Sequence, residues 1–179
     1  MTTSEVTARR AEGRAGPGPG AEVDPVERRA MERMWLTIVM FTMTFAVFGQ
    51  SAGSTAADTK LDLIISPARF LARALQLWDP QGNAGQLQNQ AYGYLFPIGP
   101  FYALLHGLGV PSWEMQRAFE SAVLCLAFLG AYRLARRMGI ASFASAVGVG
   151  LAYALAPRML GELTSISSEL MPVAALPWV

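Results

Sequence analysis

Met34–Ala57 reads MWLTIVMFTMTFAVFGQSAGSTAA and holds no charged side chain over 24 residues. A helix of that length, rising about 1.5 Å per residue, crosses the roughly 30 Å hydrocarbon core of a bilayer. Basic residues before the run and small residues after it would also suit a cleaved signal peptide. The run is longer than the apolar part of a usual signal peptide, and further apolar segments follow it. We therefore predict a retained transmembrane helix over about residues 35–53.

The composition supports a membrane protein. Hydrophobic residues make up 53% of the chain and charged residues 15%, which is too apolar for an ordinary soluble domain. The formal net charge of +1 gives no general attraction to nucleic acid, so we predict the lipid bilayer as a partner and no nucleic acid. The single cysteine, Cys125, excludes an intramolecular disulfide, and no Cys or His cluster has the spacing of zinc ligands.

Two further spans are predicted. Met138–Pro157 is free of charge for 20 residues, and its many small residues suit close helix packing in a membrane, so we place a span at about 139–157. A weaker span at about 115–135 has Arg117 and Glu120 near one end, where we expect the charges to lie at the interface or to face protein. The predicted fold class is all-α, a polytopic integral membrane protein.

The basic residues predict the orientation. One cluster precedes the first span and a second joins the second and third spans; the members are Arg28, Arg29, Arg33, Arg133, Arg136 and Arg137. Basic clusters next to spans stay on the cytoplasmic side. The amino terminus is therefore predicted to be cytoplasmic in the plasma membrane, with the loop at about 54–114 and the segment after Pro157 outside. An acidic cytoplasmic protein is an alternative partner for the turn at 133–137.

The remaining segments are predicted as follows. Residues 1–33 lack hydrophobic periodicity and contain Gly16–Gly20, GPGPG, which indicates a disordered cytoplasmic tail. Residues 34–179 form a partial transmembrane domain, in which a further apolar segment starts at about 170–179. A short juxtamembrane or re-entrant helix is expected over about Phe101–Leu108.

The first outer loop carries an amphipathic pattern. Apolar residues recur at steps of three and four from Leu61 onward; they are Leu61, Ile64, Ala68, Leu71, Leu75 and Trp78. Ser66 suits a helix N-cap, with Pro67 at the first helical position and Asp79-Pro80 as a stop. These signals predict an interfacial helix over Pro67–Trp78 on the outer leaflet.

Asp58-Thr59-Lys60-Leu61-Asp62 follows the first span at the predicted outer surface. A carboxylate there could accept a proton from a sugar hydroxyl, and a nearby cation could bind a lipid phosphate. The residues alone favour the simpler interpretation, in which these charges mark a helix end and stay solvated.

Two other polar groups allow two interpretations each. The amides and aromatic rings that follow Gln86 suit sugar binding but also an ordinary polar loop; they include Gln88, Asn89, Gln90 and Tyr92. Past the third span, Arg158, Glu162 and Glu169 could complete a site with the first loop or could anchor helix ends.

Three blocks carry a family resemblance. They are Ala57–Leu63 (ADTKLDL), Gln88–Phe101 (QNQAYGYLFPIGPF), and Ser167-Ser168-Glu169 ahead of Leu176-Pro177-Trp178-Val179. With them the chain resembles the start of the AftD-type α-(1→3)-arabinofuranosyltransferases, a branch of the GT-C glycosyltransferases. The YGYLFP part is fairly specific, whereas an acidic residue after a first span occurs in many GT-C enzymes.

The resemblance implies inverting transfer of arabinofuranose from a decaprenyl-phosphate donor to cell-wall arabinan, the polymer of arabinogalactan and lipoarabinomannan. It implies Asp58 as the general base, Lys60 and Arg158 near the donor phosphate, and the other candidates at the substrate, with the sugar near the amide cluster; these are Asp62, Gln88, Asn89 and Tyr92. No cofactor is demanded, although a divalent cation could assist phosphate departure.

Family members are much longer, so we expect this chain to be catalytically incomplete by itself. The alternative function is a non-catalytic membrane scaffold or a transporter fragment, in which the loop charges only set the topology.

Overall fold

A computed structural model describes residues 24–55, 61–79, 85–87, 91–140, 142–164 and 167–179. Within them the helices are α1 (Pro25–Phe48), α2 (Leu61–Ile65), α3 (Pro67–Ala74), α4 (Ile98–Gly107), α5 (Ser112–Arg137), α6 (Phe143–Ala154), α7 (Pro157–Glu162) and α8 (Ser167–Ala175). Two 3-10 helices cover Ala91–Tyr94 and Leu176–Trp178. The predicted helical class is confirmed, with one small departure, the antiparallel two-residue strands β1 (Trp78–Asp79) and β2 (Gln86–Leu87).

The chain divides into two units, Met1–Trp35 and Leu36–Val179. In the first unit α1 begins at Pro25, so the predicted disorder is wrong for residues 25–33. The reason is local: the Asp24 carboxylate accepts a hydrogen bond from the Val26 amide at 2.8 Å, and Pro25 has the backbone angle of a first helical residue. An ion pair between Arg28 and Glu32 at 3.6 Å adds support one turn later. The rest of the predicted tail, residues 1–23, lies outside the described residues.

Two of the three predicted spans are long helices. By length and composition, α1 and α5 are long and apolar enough to cross a membrane. The third, α6, has 12 residues and a length of about 18 Å, which is shorter than the predicted 139–157. Its start is fixed because Gly139 ends the preceding turn with a φ of 89° and the Ser142 hydroxyl accepts a hydrogen bond from the Ser145 amide at 3.4 Å. After Ala154 the chain turns, and α7 begins at Pro157.

A helix lies where the interfacial helix was predicted, and its buried residues are Pro67, Phe70 and Ala74. Leu75 and Trp78 of the predicted apolar stripe lie beyond the end of this helix and are 75% and 54% exposed, as residues that face lipid would be. Ser66 interrupts the helix with a φ of −144°, so the 3.6-residue period of α2 does not continue into α3. Ser66 does occupy the N-cap position, but its side chain makes no capping hydrogen bond.

The bounds of α3 and α4 differ from the predicted ones. α3 stops at Ala74 rather than Trp78, because Trp78 enters the small ladder and pairs with Leu87. α4 covers the expected Phe101–Leu108 helix but starts earlier, at Ile98. Pro100 is tolerated there because the first turn of a helix needs no amide donor.

α5 is the centre of the second unit. One side packs against α6, where Gly150 lets the backbone approach the Phe128 ring; a β-carbon at Gly150 would lie 2.8 Å from Phe128 Cδ2. Another side holds the second 3-10 helix, whose Trp178 indole donates a hydrogen bond to the Leu126 carbonyl at 3.0 Å. Gly130 makes room for this indole, since a β-carbon there would overlap Trp178 Nε1.

Candidate functional site

A cleft of about 480 Å³ opens between α2 and α3, and Leu61 and Asp62 of the Asp58-Thr59-Lys60-Leu61-Asp62 stretch line it. Its lining combines apolar and polar side chains from both helices; they are Leu61, Asp62, Ile65, Ser66, Arg69, Phe70 and Arg73. The volume falls in the range of roughly 300–1,000 Å³ that is usual for small-molecule sites. The cleft can therefore hold a ligand of modest size.

Positive charge dominates the cleft. The Arg73 guanidinium donates a hydrogen bond to the Asp62 carboxylate, and both side chains remain partly exposed. Arg69 is exposed and forms no ion pair with any residue in the described part of the chain. Two guanidinium groups and one carboxylate give the described residues of this lining one net positive charge, which favours an anionic ligand.

Tyr94 and Gly99 pack against α3, which forms one wall of the cleft. Phe70, which lines the cleft, meets the buried Tyr94 ring edge-on with centroids 6.1 Å apart. Leu71 packs over Gly99, where a β-carbon would overlap its methyl group. The block around Tyr94 also touches α8, because a β-carbon at Gly93 would lie 3.3 Å from Cβ of Ser168. These contacts position α3 and join two of the three family blocks.

Most of the predicted site residues lie outside the described part of the chain. These are Asp58, Lys60, Gln88 and Asn89. Tyr92 falls in the first 3-10 helix, but its side chain is not among those described. Their roles therefore stay predictions.

Of the two remaining candidates, only one lines the cleft. Asp62 lies on α2 and lines the cleft, in contact with Arg73. Arg158 does not line it: it is the second residue of α7, is exposed, and pairs with Glu162 at 3.4 Å one turn away. That ion pair agrees with the helix-anchoring interpretation of Arg158 and Glu162.

A buried ion pair lies in the first part of α5. Arg117 Nη1 is 2.9 Å from Glu120 Oε2, and the residues are 5% and 1% exposed. The expectation that these charges face protein is confirmed. Among the described residues, Glu120 Oε1 and the Ser121 hydroxyl have no hydrogen-bond partner. Such a pair is costly to form away from water and costly to break once formed.

Sequence reasoning did not single out the cleft residues Arg69 and Arg73 as ligand candidates. The available signal was their four-residue spacing, which aligns two cations on one side of a short helix. For a divalent cation, the described ranges contain no group of three or more His, Cys, Asp or Glu side chains that could hold a metal ion.

Comparison with known proteins identifies the family. A family model described as alpha-(1->3)-arabinofuranosyltransferase, N-terminal GT-C domain, matches residues 38–179. The chain belongs to this family. Its GT-C relatives include two alpha-(1->3)-arabinofuranosyltransferases: one from Mycobacterium tuberculosis is 46% identical over 83% of this chain, and one from Mycolicibacterium smegmatis is 49% identical over 74% of it.

Solved GT-C structures agree with this assignment. Cryo-electron microscopy structures of arabinofuranosyltransferase AftD from mycobacteria match with 46% identity and TM-scores of 0.77 and 0.76, over 82% and 81% of this chain. The match covers 12% and 11% of those chains, and 11% and 9% of the two curated relatives. The chain thus spans about a tenth of the length of the relatives it matches.

Proposed function

We propose that this chain is the amino-terminal part of a membrane glycosyltransferase that moves arabinofuranose from a decaprenyl-phosphate donor to cell-wall arabinan. Membership of the arabinofuranosyltransferase family over residues 38–179 is the observation that carries the proposal. The first outer loop supplies the reacting groups at the outer face of the plasma membrane, with the amino terminus in the cytoplasm.

The proposed reaction is a single displacement. Asp58 accepts the proton of an acceptor hydroxyl, and that oxygen attacks the anomeric carbon of the donor from the side opposite the phosphate. The new glycosidic C–O bond forms while the bond from that carbon to the phosphate oxygen breaks, so the configuration inverts. Decaprenyl phosphate leaves with the bonding electrons, and cations stabilise its charge.

Other residues of the loop have proposed binding roles. Lys60 lies close enough in sequence to Asp58 to meet the donor phosphate, and Arg158 is a weaker candidate because it already pairs with Glu162. Gln88, Asn89 and Tyr92 are proposed to contact sugar through amide hydrogen bonds and ring stacking. Asp62 is proposed to act at the substrate by orienting Arg73.

The test uses a chimera in which this chain replaces the matching segment of the M. smegmatis relative. Membranes that contain the chimera are given a synthetic decaprenyl-phosphate arabinofuranose and an arabinan oligosaccharide, and transfer is measured. We expect Asp58→Asn to lower the rate by about 10²- to 10⁴-fold, because the proton of the hydroxyl loses its acceptor.

The matched control is Asp79→Asn, which makes the same chemical change in the same loop and should leave transfer unchanged. Both variants should be present in the membrane in equal amounts. Full transfer by Asp58→Asn would remove the proposed base. Absence of transfer by the unaltered chimera, in membranes where the parent enzyme is active, would favour the scaffold or transporter alternative.

A further inference from the structure

We infer that the cleft between α2 and α3 binds the phosphate headgroup of a lipid, with Arg69 and Arg73 as the cations and Leu61 and Ile65 against the first part of the apolar chain. The inference rests on the proposed function only in placing this loop at the membrane surface. It adds Arg69 and an apolar wall, which the proposed reaction does not use, and it assigns a phosphate ligand to Arg73.

The two arginines are arranged for an anion. They are four residues apart on α3, so their side chains project from the same side of the helix. Arg69 is exposed and has no partner among the described residues, so its guanidinium can turn into the cleft without breaking a contact. Arg73 has five N–H donors, of which the carboxylate of Asp62 occupies only a part.

Phosphate suits these groups better than a carboxylate ligand does. A guanidinium matches two phosphate oxygens with two parallel N–H bonds, and a second guanidinium can take the remaining oxygens. The Ser66 hydroxyl lines the same cleft and can donate one further hydrogen bond. The single carboxylate of Asp62 is already held by Arg73, which lowers its repulsion of an anion.

The apolar wall indicates an amphiphile rather than a free phosphate. Leu61 and Ile65 are exposed large hydrophobic residues on the same cleft as the cations. Beyond the end of α3 the chain exposes three more, Leu75, Leu77 and Trp78, and an exposed Trp is typical of a membrane–water interface. A ligand with a charged head and an apolar tail would satisfy both sides of this surface.

Two lipids share that chemistry, a prenyl phosphate of the donor type and an anionic phospholipid of the bilayer. The experiment is native mass spectrometry of the purified chimera released from detergent. It is titrated separately with farnesyl phosphate, farnesol, inorganic phosphate and phosphatidylglycerol. The variants are Arg69→Gln, Arg69→Lys and Arg73→Gln, and the matched control is Arg137→Gln, which removes an exposed arginine at the far end of α5.

We expect farnesyl phosphate to bind at least about tenfold more tightly than farnesol or inorganic phosphate. Arg69→Gln should weaken its binding about tenfold, since one charge-assisted hydrogen-bonding group is lost. Arg69→Lys should retain most of the affinity, and Arg137→Gln all of it. Competition by phosphatidylglycerol assigns the site to bilayer lipid, and lack of competition assigns it to the prenyl phosphate; either result supports the inference.

Equal affinity of the unaltered protein, Arg69→Gln and Arg73→Gln for farnesyl phosphate would overturn the inference. So would equal binding of farnesyl phosphate and farnesol. Arg69→Gln breaks no described contact, so its unfolding temperature should equal that of the unaltered chimera. Binding requires no transfer, so a failed lipid site with active transfer, or the reverse, separates this inference from the proposed function.

Discussion

Arg117 and Glu120 form an ion pair that is buried among packed helices. Their charged groups lie 2.9 Å apart. Of the ion pairs found within the described ranges, this one has the least exposed side chains. Removal of one partner leaves the other charge buried without compensation, whereas removal of both leaves an apolar site. The pair therefore makes a prediction about stability that differs between single and double substitutions.

We expect Glu120→Ala to lower the free energy of unfolding by about 3–5 kcal/mol, because the Arg117 guanidinium stays buried and unpaired. The double variant Arg117→Leu with Glu120→Leu should lose much less or gain stability. Thermal unfolding in detergent measures both. Equal losses for Glu120→Ala and for Glu114→Gln, a change near the start of the same helix, would show that the pair contributes nothing specific.

Sequence alone predicts part of this residue-scale picture. It indicates that Arg117 and Glu120 avoid lipid, since charge in an apolar helix must face protein or an interface. It does not predict that Arg69 and Arg73 share a cleft, because that depends on the break at Ser66 and on how α3 is rotated. It also does not predict Arg158 paired with Glu162 rather than directed to the first loop.

At the scale of elements, α3 depends on the 3-10 helix that ends at Tyr94 and on the first turn of α4. Phe70 and Leu71, neighbours on α3, rest on Tyr94 and Gly99, so the orientation of the arginines is set by residues far along the chain. The helices themselves follow from local signals such as Pro67. The lengths and buried faces of the helices do not follow from local signals. Ser66 resets the helical period between α2 and α3, and the β1–β2 ladder ends α3 early.

We expect Gly99→Ala to destabilise the protein by about 1–3 kcal/mol and to weaken farnesyl phosphate binding. The new β-carbon would overlap Leu71 and lie 2.9 Å from the Tyr94 carbonyl oxygen, and backbone cannot yield as a side chain does. The control is Gly107→Ala in the same helix, where a β-carbon meets nothing within 4 Å. Thermal unfolding and lipid titration together test this; identical behaviour of the two variants would contradict it.

At the scale of the whole molecule, two helices can span a membrane by length and composition, and α6 is shorter. The apolar part of α1 was predictable because uninterrupted apolar length is a direct signal, whereas α5 was the weaker prediction because Arg117 and Glu120 interrupt its apolar run. The length of α6 was not predictable, since Ser142 and Pro157 impose limits inside a run that looks continuous by hydropathy. The orientation remains a prediction from the distribution of arginines.

A cysteine-labelling experiment checks that orientation. In a Cys125→Ser background, Leu77→Cys should react with a membrane-impermeant maleimide on intact cells, since Leu77 is exposed in the predicted outer loop. Arg137→Cys, at the basic turn, should react only after permeabilisation. Labelling of both positions from the same side would contradict the predicted topology.

The glycines on α5 and α6 have a mechanical consequence. Phe128 fills the space at Gly150, and Trp178 fills the space at Gly130, so each ring fits one position along the neighbouring backbone. A helix that slid by one residue would drive a β-carbon into a ring, and packed interfaces of this kind do not deform continuously. We therefore expect α5, α6 and the segment ending in Trp178 to move as a single rigid body, so that any opening that admits a long lipid must occur at other boundaries of the membrane domain.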